Sequence, residues 1–318
     1  MLTYINTEWR ASFVLAREQT DLGARSEFYS RVRGGDLVAV SRGVYVTRSV
    51  WAGLSVDSRY RARVKAVAAL AGRRLVFSHQ SAAALWRLPA VGQWPSQVHV
   101  TQDPSGGGRS SARVARHTVG IPADLQAIEG LTVTTLARTV VDCAKVLRFG
   151  PAVAMADSAL RRTRHPLEGL PGTALTPDDL VREASALALR QSTAKVARVI
   201  DFADGAADRP GESLSRVSIY RAGIRKPRLQ EELAGASGRR YVVDFWWPNF
   251  DVIGEFDGKD KYRNPVFLRG RTPEQALLDE KDREDDLRAA GHGMVRWGWS
   301  VAQSPQLLAA KLSRAGVH

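Results

Sequence analysis

Three carboxylates lie inside a run of strand-forming apolar residues, where Val242-Val243-Asp244-Phe245-Trp246-Trp247-Pro248 is followed by Val252-Ile253-Gly254-Glu255-Phe256-Asp257-Gly258-Lys259. An acid in that setting is costly unless a donor or a cation satisfies it. Side chains alternate across a strand, so Glu255 and Asp257 share a face, and a hairpin return can bring Asp244 beside them. Carboxylates on one half-buried face repel unless a proton or a hard divalent ion joins them, and an oxygen-only set suits Mg²⁺ or Mn²⁺. The stretch therefore calls for a sheet, a return strand and positive charge where they meet. For Asp244 a salt bridge to Arg239 or Arg240 is the structural alternative.

The elements around this stretch read helix, strand, strand, strand, helix, strand, helix: Glu212–Ala222, Pro227–Glu231, Tyr241–Trp246, Val252–Phe256, Pro273–Ala290, Met294–Trp297 and Pro305–Arg314. That order predicts a mixed sheet flanked by helices. Glu212 opens the first helix, where it can serve as a fourth acid at the hairpin or simply complement the helix dipole. Lys259 and Lys261 follow Gly258, placed to hold a phosphate or to stabilise developing charge, or else to stand as loop lysines. With Asp244, Glu255 and Asp257 as metal ligands, this set describes metal-assisted phosphodiester hydrolysis, with Glu212, Lys259 and Lys261 completing the catalytic group.

Charge is placed unevenly. Of the net +13, residues 1–199 hold 27 basic against 15 acidic residues, and residues 200–318 hold 19 against 18. An excess of +12 in the first two thirds attracts polyanions, of which double-stranded DNA is the expected one. Cys143 is the single cysteine, so an internal disulfide and a cysteine-based zinc site are both excluded. No basic region leading into an apolar core is seen at the start, and no apolar run reaches about 18 residues. A cytoplasmic protein without a membrane span is expected.

Residues 1–56 read as a winged helix-turn-helix. Trp9, Phe13, Val14 and Ala16 have helical spacing over 8–18, Asp21-Leu22-Gly23 makes a break, and Ser26 is placed to cap a second helix through Val32. Leu37–Val40 and Val44–Val46 are strands joined by Ser41-Arg42-Gly43. The second helix offers Arg25, Arg31 and Arg33 to phosphates or base edges, with Arg42 at the wing tip. The plainer alternative is a solvated basic face.

Residues 57–199 form an α/β middle part: a helix over Arg59–Ala71, a strand at Leu75–Phe77, a capped helix from Ser78 to Trp86, a strand at Gln97–Thr101, and a strand at Leu131–Val133 leading into a helix over Thr135–Leu147. The glycine-rich loop 102–111 lacks the Gly-Lys-Ser/Thr ending of a phosphate-binding loop. His79, His99 and His117 have no metal-ligand spacing and read as structural or surface histidines. Arg161-Arg162-Thr163-Arg164 closes a helix, and 201–211 reads as a linker into the last part, 200–318.

Two resemblances follow. Asp244, Glu255-Phe256-Asp257-Gly258, the upstream Glu212 and the closing Leu287-Arg288-Ala289-Ala290-Gly291-His292-Gly293-Met294-Val295-Arg296-Trp297 resemble the Vsr-like endonuclease domains of the PD-(D/E)xK superfamily over about residues 208–300. The resemblance implies a restriction-endonuclease-like core with Asp244 and Glu255 as metal ligands and Glu212 assisting. The chain has Asp257 where that superfamily has lysine, so Lys259, Lys261 or Lys281 must substitute or cleavage is lost. Gly34-Gly35-Asp36-Leu37-Val38-Ala39-Val40-Ser41-Arg42-Gly43-Val44-Tyr45-Val46 and Ser78-His79-Gln80-Ser81-Ala82-Ala83-Ala84-Leu85-Trp86 are similar to the winged helix and second-domain start of the AbiEi family of type IV antitoxins. That similarity implies DNA binding, autorepression of a toxin operon and a nucleotidyltransferase toxin as partner. Two readings stand: a DNA-binding regulator whose nuclease-like fold is a clamp or interaction surface, and an active Mg²⁺-dependent DNA endonuclease.

Overall fold

The computed structural model describes residues 8–106, 108–172, 174–187, 192–258 and 272–318. Lys259 and Lys261 lie outside the described residues. The chain is mixed α/β and divides into two compact units, one of Met1–Leu147 with Pro166–Ala197, the other of Arg148–His165 with Arg198–His318. No helix among the described residues is long and apolar enough to cross a membrane.

The first unit holds two sheets. In the smaller, Val14–Leu15, Val44–Thr47 and Leu37–Ser41 lie side by side, antiparallel, and Gly43 takes the left-handed φ of 83° that the hairpin turn requires. The two strands expected at Leu37–Val40 and Val44–Val46 form as an antiparallel hairpin, but the helix over 8–18 does not form. That stretch consists of 3₁₀ turns at Glu8–Ser12 and Ala16–Glu18 around the strand Val14–Leu15. The β-branched Val14 and its neighbour pair with Tyr45 and Val44, which buries Phe13 and Leu15 against Val40, Val44 and Val46. Sheet pairing outweighs the local helical spacing. The following helix, Leu22–Gly34, starts earlier than Ser26 because Asp21 caps it, its Oδ1 accepting from the Ala24 N–H at 2.7 Å.

Helix Val56–Leu70 turns Ala62, Ala66 and Ala69 to this core. Its Tyr60 stacks on Trp94 at 4.8 Å and hydrogen-bonds Ser81 and the Gln97 carbonyl. The second sheet runs Val114–His117, Val98–Thr101, Val76–Phe77, Leu131–Thr134, Leu125–Ile128, with parallel and antiparallel pairs mixed. Helices His79–Leu85 and Leu136–Val146, the latter capped by Thr135, belong to this layer and include the buried Cys143.

In the second unit, Arg228–Ala234, Arg240–Trp247 and Val252–Phe256 form an antiparallel meander, and Gly293–Trp297 adds in parallel beside Val252–Phe256. One face packs Phe245, Trp247, Phe256 and Trp297 with Ile219, Leu308 and Leu312; the other packs Val243, Leu233 and Ile253 with Leu287. Helices Pro210–Arg221 and Pro305–Ser313 thus line one side and Pro273–Ala289 the other. The segment read as a linker is tied into this unit. The Asp204 N–H donates to Asp157 Oδ1 at 2.7 Å, Asp208 pairs with Arg161, and Gly205 lies against the backbone of Leu160 and Arg161. Asp157 also accepts from Arg216 at 2.5 Å, a buried ion pair that joins helix Phe149–Arg161 to Pro210–Arg221.

Candidate active site

Helix and hairpin bring Glu212 and Asp244 together. Pro210 fixes the first helical turn, which places Glu212 in that turn, almost fully buried at 2% exposure. Its Oε2 accepts from the Asp208 N–H at 2.8 Å, so the end-capping alternative and the cluster alternative both apply to it. The hairpin pairs Phe245 with Gly254 and Trp246 with Ile253, which sets Asp244 near the far end of Val252–Phe256. There Asp244 Oδ2 accepts from the Phe256 N–H at 2.9 Å. Arg240, one of the arginines considered for Asp244, pairs with Glu232.

A residue that the sequence reading passed over joins the two acids. Gln230 Nε2 donates to Glu212 Oε2 at 3.1 Å and to Asp244 Oδ1 at 3.3 Å. Its φ is +50°, a left-handed conformation that is uncommon for a non-glycine residue and rarer inside a strand. The ladder keeps its register past this point, Leu229 pairing with Phe245 and Glu231 with Val243, and only the Gln230–Asp244 pairing is missing. Side-chain alternation also breaks there: Tyr241 and Val243 face the Leu287 core, whereas Phe245 and Trp247 face the Leu308 core. Asp244 sits at the switch between the two faces.

Burial first, and the Asp244 charge second, hold the Glu212 carboxyl well above the usual carboxylate range. A carboxylate beside a buried carboxyl disfavours its ionisation. An amide N–H offsets only part of that.

Glu255 is also buried, but it faces a full positive charge. Its Oε1 lies 2.8 Å from the Arg283 guanidinium, which further donates to the Val242 carbonyl at 2.7 Å and to Glu280 at 3.2 Å. Arg283 comes from helix Pro273–Ala289, 28 residues downstream, and was not among the expected site residues. Asp257 lies one residue beyond the strand end, half-buried, its N–H donating to the Trp297 carbonyl at 2.8 Å. Among the described residues no three His, Cys, Asp or Glu side chains form a group that could hold a metal ion. Glu212 and Asp244 supply hard oxygen donors of the kind a divalent cation takes.

Two glycines let this site assemble. A Cβ on Gly211 would run into the Phe256 ring, so helix and strand approach closely only without a side chain there, and one on Gly254 would stand 2.6 Å from Trp297 on the neighbouring strand.

In the first unit, Arg25, Arg31 and Arg33 lie on helix Leu22–Gly34 and Arg42 at the hairpin tip. Arg25, Arg33 and Arg42 are exposed and Arg31 half-buried. Elsewhere in this unit, three histidines far apart in sequence meet. His79 and His117 stack at 3.6 Å, and His99 Nδ1 lies 3.0 Å from His117 Nε2. Burial and the neighbouring ring of His117 hold His99 down to about 4. Asp142 lies 3.9 Å from His79 and is bonded by Arg138 at 3.0 Å. Far apart along the chain, these histidines come together in the fold, His79 buried and His99 and His117 half-buried.

No family model matches the chain. It is similar to two uncharacterized proteins of Mycobacterium tuberculosis, MT2308 of strain CDC 1551/Oshkosh and Rv2248 of strain H37Rv, each 26% identical over 291 residues that cover 91% of this chain and 96% of the relative.

Proposed function

We propose that this chain is a DNA-binding protein with an endonuclease-like C-terminal site, in which Glu212 and Asp244 hold a Mg²⁺ or Mn²⁺ ion against a phosphodiester. The observation that carries this reading is the pairing of buried Glu212 with half-buried Asp244, brought together by helix, strand and Gln230. Folding sets the Asp244 carboxylate beside a buried carboxyl, an arrangement that a divalent cation can join. A bound Mg²⁺ would supply Lewis acidity and a more acidic attacking water. The protein's own groups position it: Asp244 through the Phe256 N–H, Glu212 through the Asp208 N–H, and Glu255 through Arg283, whose guanidinium also places positive charge at this end of the sheet. The Vsr-like resemblance supports the same assignment, with Lys259 and Lys261 as candidates for the missing lysine.

A metal that pins a phosphate gives a direct test. Ca²⁺ should tighten the binding of a short duplex, measured by fluorescence anisotropy, in the wild-type chain and not in Asp244→Ala. Equal affinities in Ca²⁺ and in EDTA for the wild type contradict the reading.

A second reading, a regulator related in design to AbiEi antitoxins, is supported by Arg25, Arg33 and Arg42, exposed on the helix and wing tip that a winged helix offers to DNA. In this reading Arg283 neutralises Glu255 and the C-terminal fold serves as a clamp or as a surface for a nucleotidyltransferase partner. Binding to the protein's own upstream DNA, without any cleavage in Mg²⁺ or Mn²⁺, is its expected signature.

A further inference from the structure

We infer that a cleft in the first unit binds a small anion with an apolar body, an aromatic carboxylate in its simplest form. The cleft has a volume of about 300 Å³, and every residue lining it belongs to that unit. Ligand pockets commonly span about 300–1,000 Å³, so this one suits a small molecule. Its floor is apolar. Phe13, Val46 and Ala62 come from the core under the hairpin, and Val50 of helix Arg48–Gly53 lines the cleft while 44% exposed. Trp9 adds a flat ring, edge-on to Phe13 at 5.7 Å and with Lys65 5.7 Å from its centre.

Three cations and one acid share the lining, Arg61, Lys65 and Arg87 against Glu129. Arg61 and Lys65 stand one turn apart on helix Val56–Leu70, which brings them to one face. Lys65 pairs with Glu129 and Arg87 lies 3.9 Å from the same carboxylate, so one acid serves two of the cations. Arg61 is the third. Its half-buried guanidinium donates to Ser58 Oγ at 2.8 Å, and among the described residues no carboxylate forms an ion pair with it. Asp57, one turn earlier, is bonded to Trp94 Nε1 at 2.7 Å. Burial first, opposed by the Asp57 and Glu129 charges and reinforced by Arg87, pushes the Arg61 guanidinium below its usual range. An anion gives Arg61 a charged acceptor, and the apolar floor takes a hydrocarbon body out of water. Bare phosphate uses only the first of these and a neutral hydrocarbon only the second, so the cleft selects for both together. The Glu212–Asp244 pair, in the other unit, plays no part in it.

The test is isothermal titration calorimetry of the full-length protein with phenylacetate, with its uncharged amide phenylacetamide and with inorganic phosphate. The variants are Arg61→Gln, which removes the charge and keeps an amide donor, and Val50→Glu, which sets a negative charge against the ligand at an exposed side chain. Melting curves without ligand should show both variants folded. The expected result is saturable binding of phenylacetate by the wild type, with affinity at least about tenfold weaker for the amide, for phosphate and in each variant. No saturable binding of phenylacetate at millimolar concentration overturns the inference, as does unchanged binding in both variants. Equal affinity for inorganic phosphate also overturns it, and would make the cleft a basic surface of the kind that meets a DNA backbone.

Discussion

On the proposed function, the requirements of stability and of metal binding oppose one another at Asp244. The half-buried carboxylate accepts from the Phe256 N–H and from Gln230, yet its charge lies beside the buried Glu212 carboxyl, which it helps to push up. Asp244→Asn keeps an acceptor oxygen and removes the charge. We expect it to raise the urea midpoint at pH 7, by up to about 1–2 kcal/mol in unfolding free energy, while abolishing Mn²⁺ binding. A clear loss of stability would mean that Asp244 is a structural acid. The His99 ring gives a second residue-scale expectation. It titrates near 6.5 when unfolded and about 4 in the folded chain, so between those values the unfolded state binds more protons. Its contribution is therefore complete above about pH 6.5 and declines as the pH falls towards 4, with a slope of at most about 1.4 kcal/mol per pH unit. Urea unfolding at pH 4.5, 5.5 and 6.5 should show a shallower pH slope in His99→Gln than in the wild type; equal slopes would remove the histidine stack from the account.

At the scale of elements, the site depends on how closely helix Pro210–Arg221 approaches the end of Val252–Phe256. Gly211→Ala forces a methyl group into the Phe256 ring and displaces the turn that carries Glu212. The expected cost is about 1–3 kcal/mol by thermal or urea unfolding, with weakened Mn²⁺ binding; a wild-type midpoint would show that the helix can shift freely. Most of this unit was legible in the sequence because its signals are local. Pro210, Thr272 and Ser304 mark helix starts, and the β-branched run Val252-Ile253 followed by Phe256 marks Val252–Phe256. The acids were legible too, since an acid in an apolar strand is conspicuous. Gln230 was not, because a glutamine in an outer strand is ordinary until its φ and its two acceptors are known. Arg283 and the histidine stack were hidden for a related reason: their partners come from distant segments, and spacing along the chain carries no information about them. The segment 8–18 misled because the spacing of Trp9, Phe13 and Ala16 suits a helix, whereas Val14 and Leu15 are recruited by the hairpin at Val44–Tyr45.

Across the whole molecule, charge and chemistry are divided along the sequence. The excess of basic residues lies within residues 1–199, and the paired acids lie in the C-terminal unit. On the proposed function, the basic part supplies DNA affinity and the acids supply the metal. Affinity for duplex DNA should therefore fall steeply with salt, and replacing Arg31 and Arg33 by alanine should reduce the slope of log affinity against log salt by about 2. An unchanged slope would move the DNA-binding face elsewhere. The central claim is that Glu212 and Asp244 form a metal-dependent phosphodiester site, and cleavage of supercoiled plasmid tests it most directly. With Mn²⁺ or Mg²⁺, the wild-type chain should convert supercoiled DNA to nicked or linear forms, and Asp244→Ala, purified identically, should not. Plasmid that stays supercoiled with the wild type, across both metals and with linear and mismatched duplexes as further substrates, would contradict it.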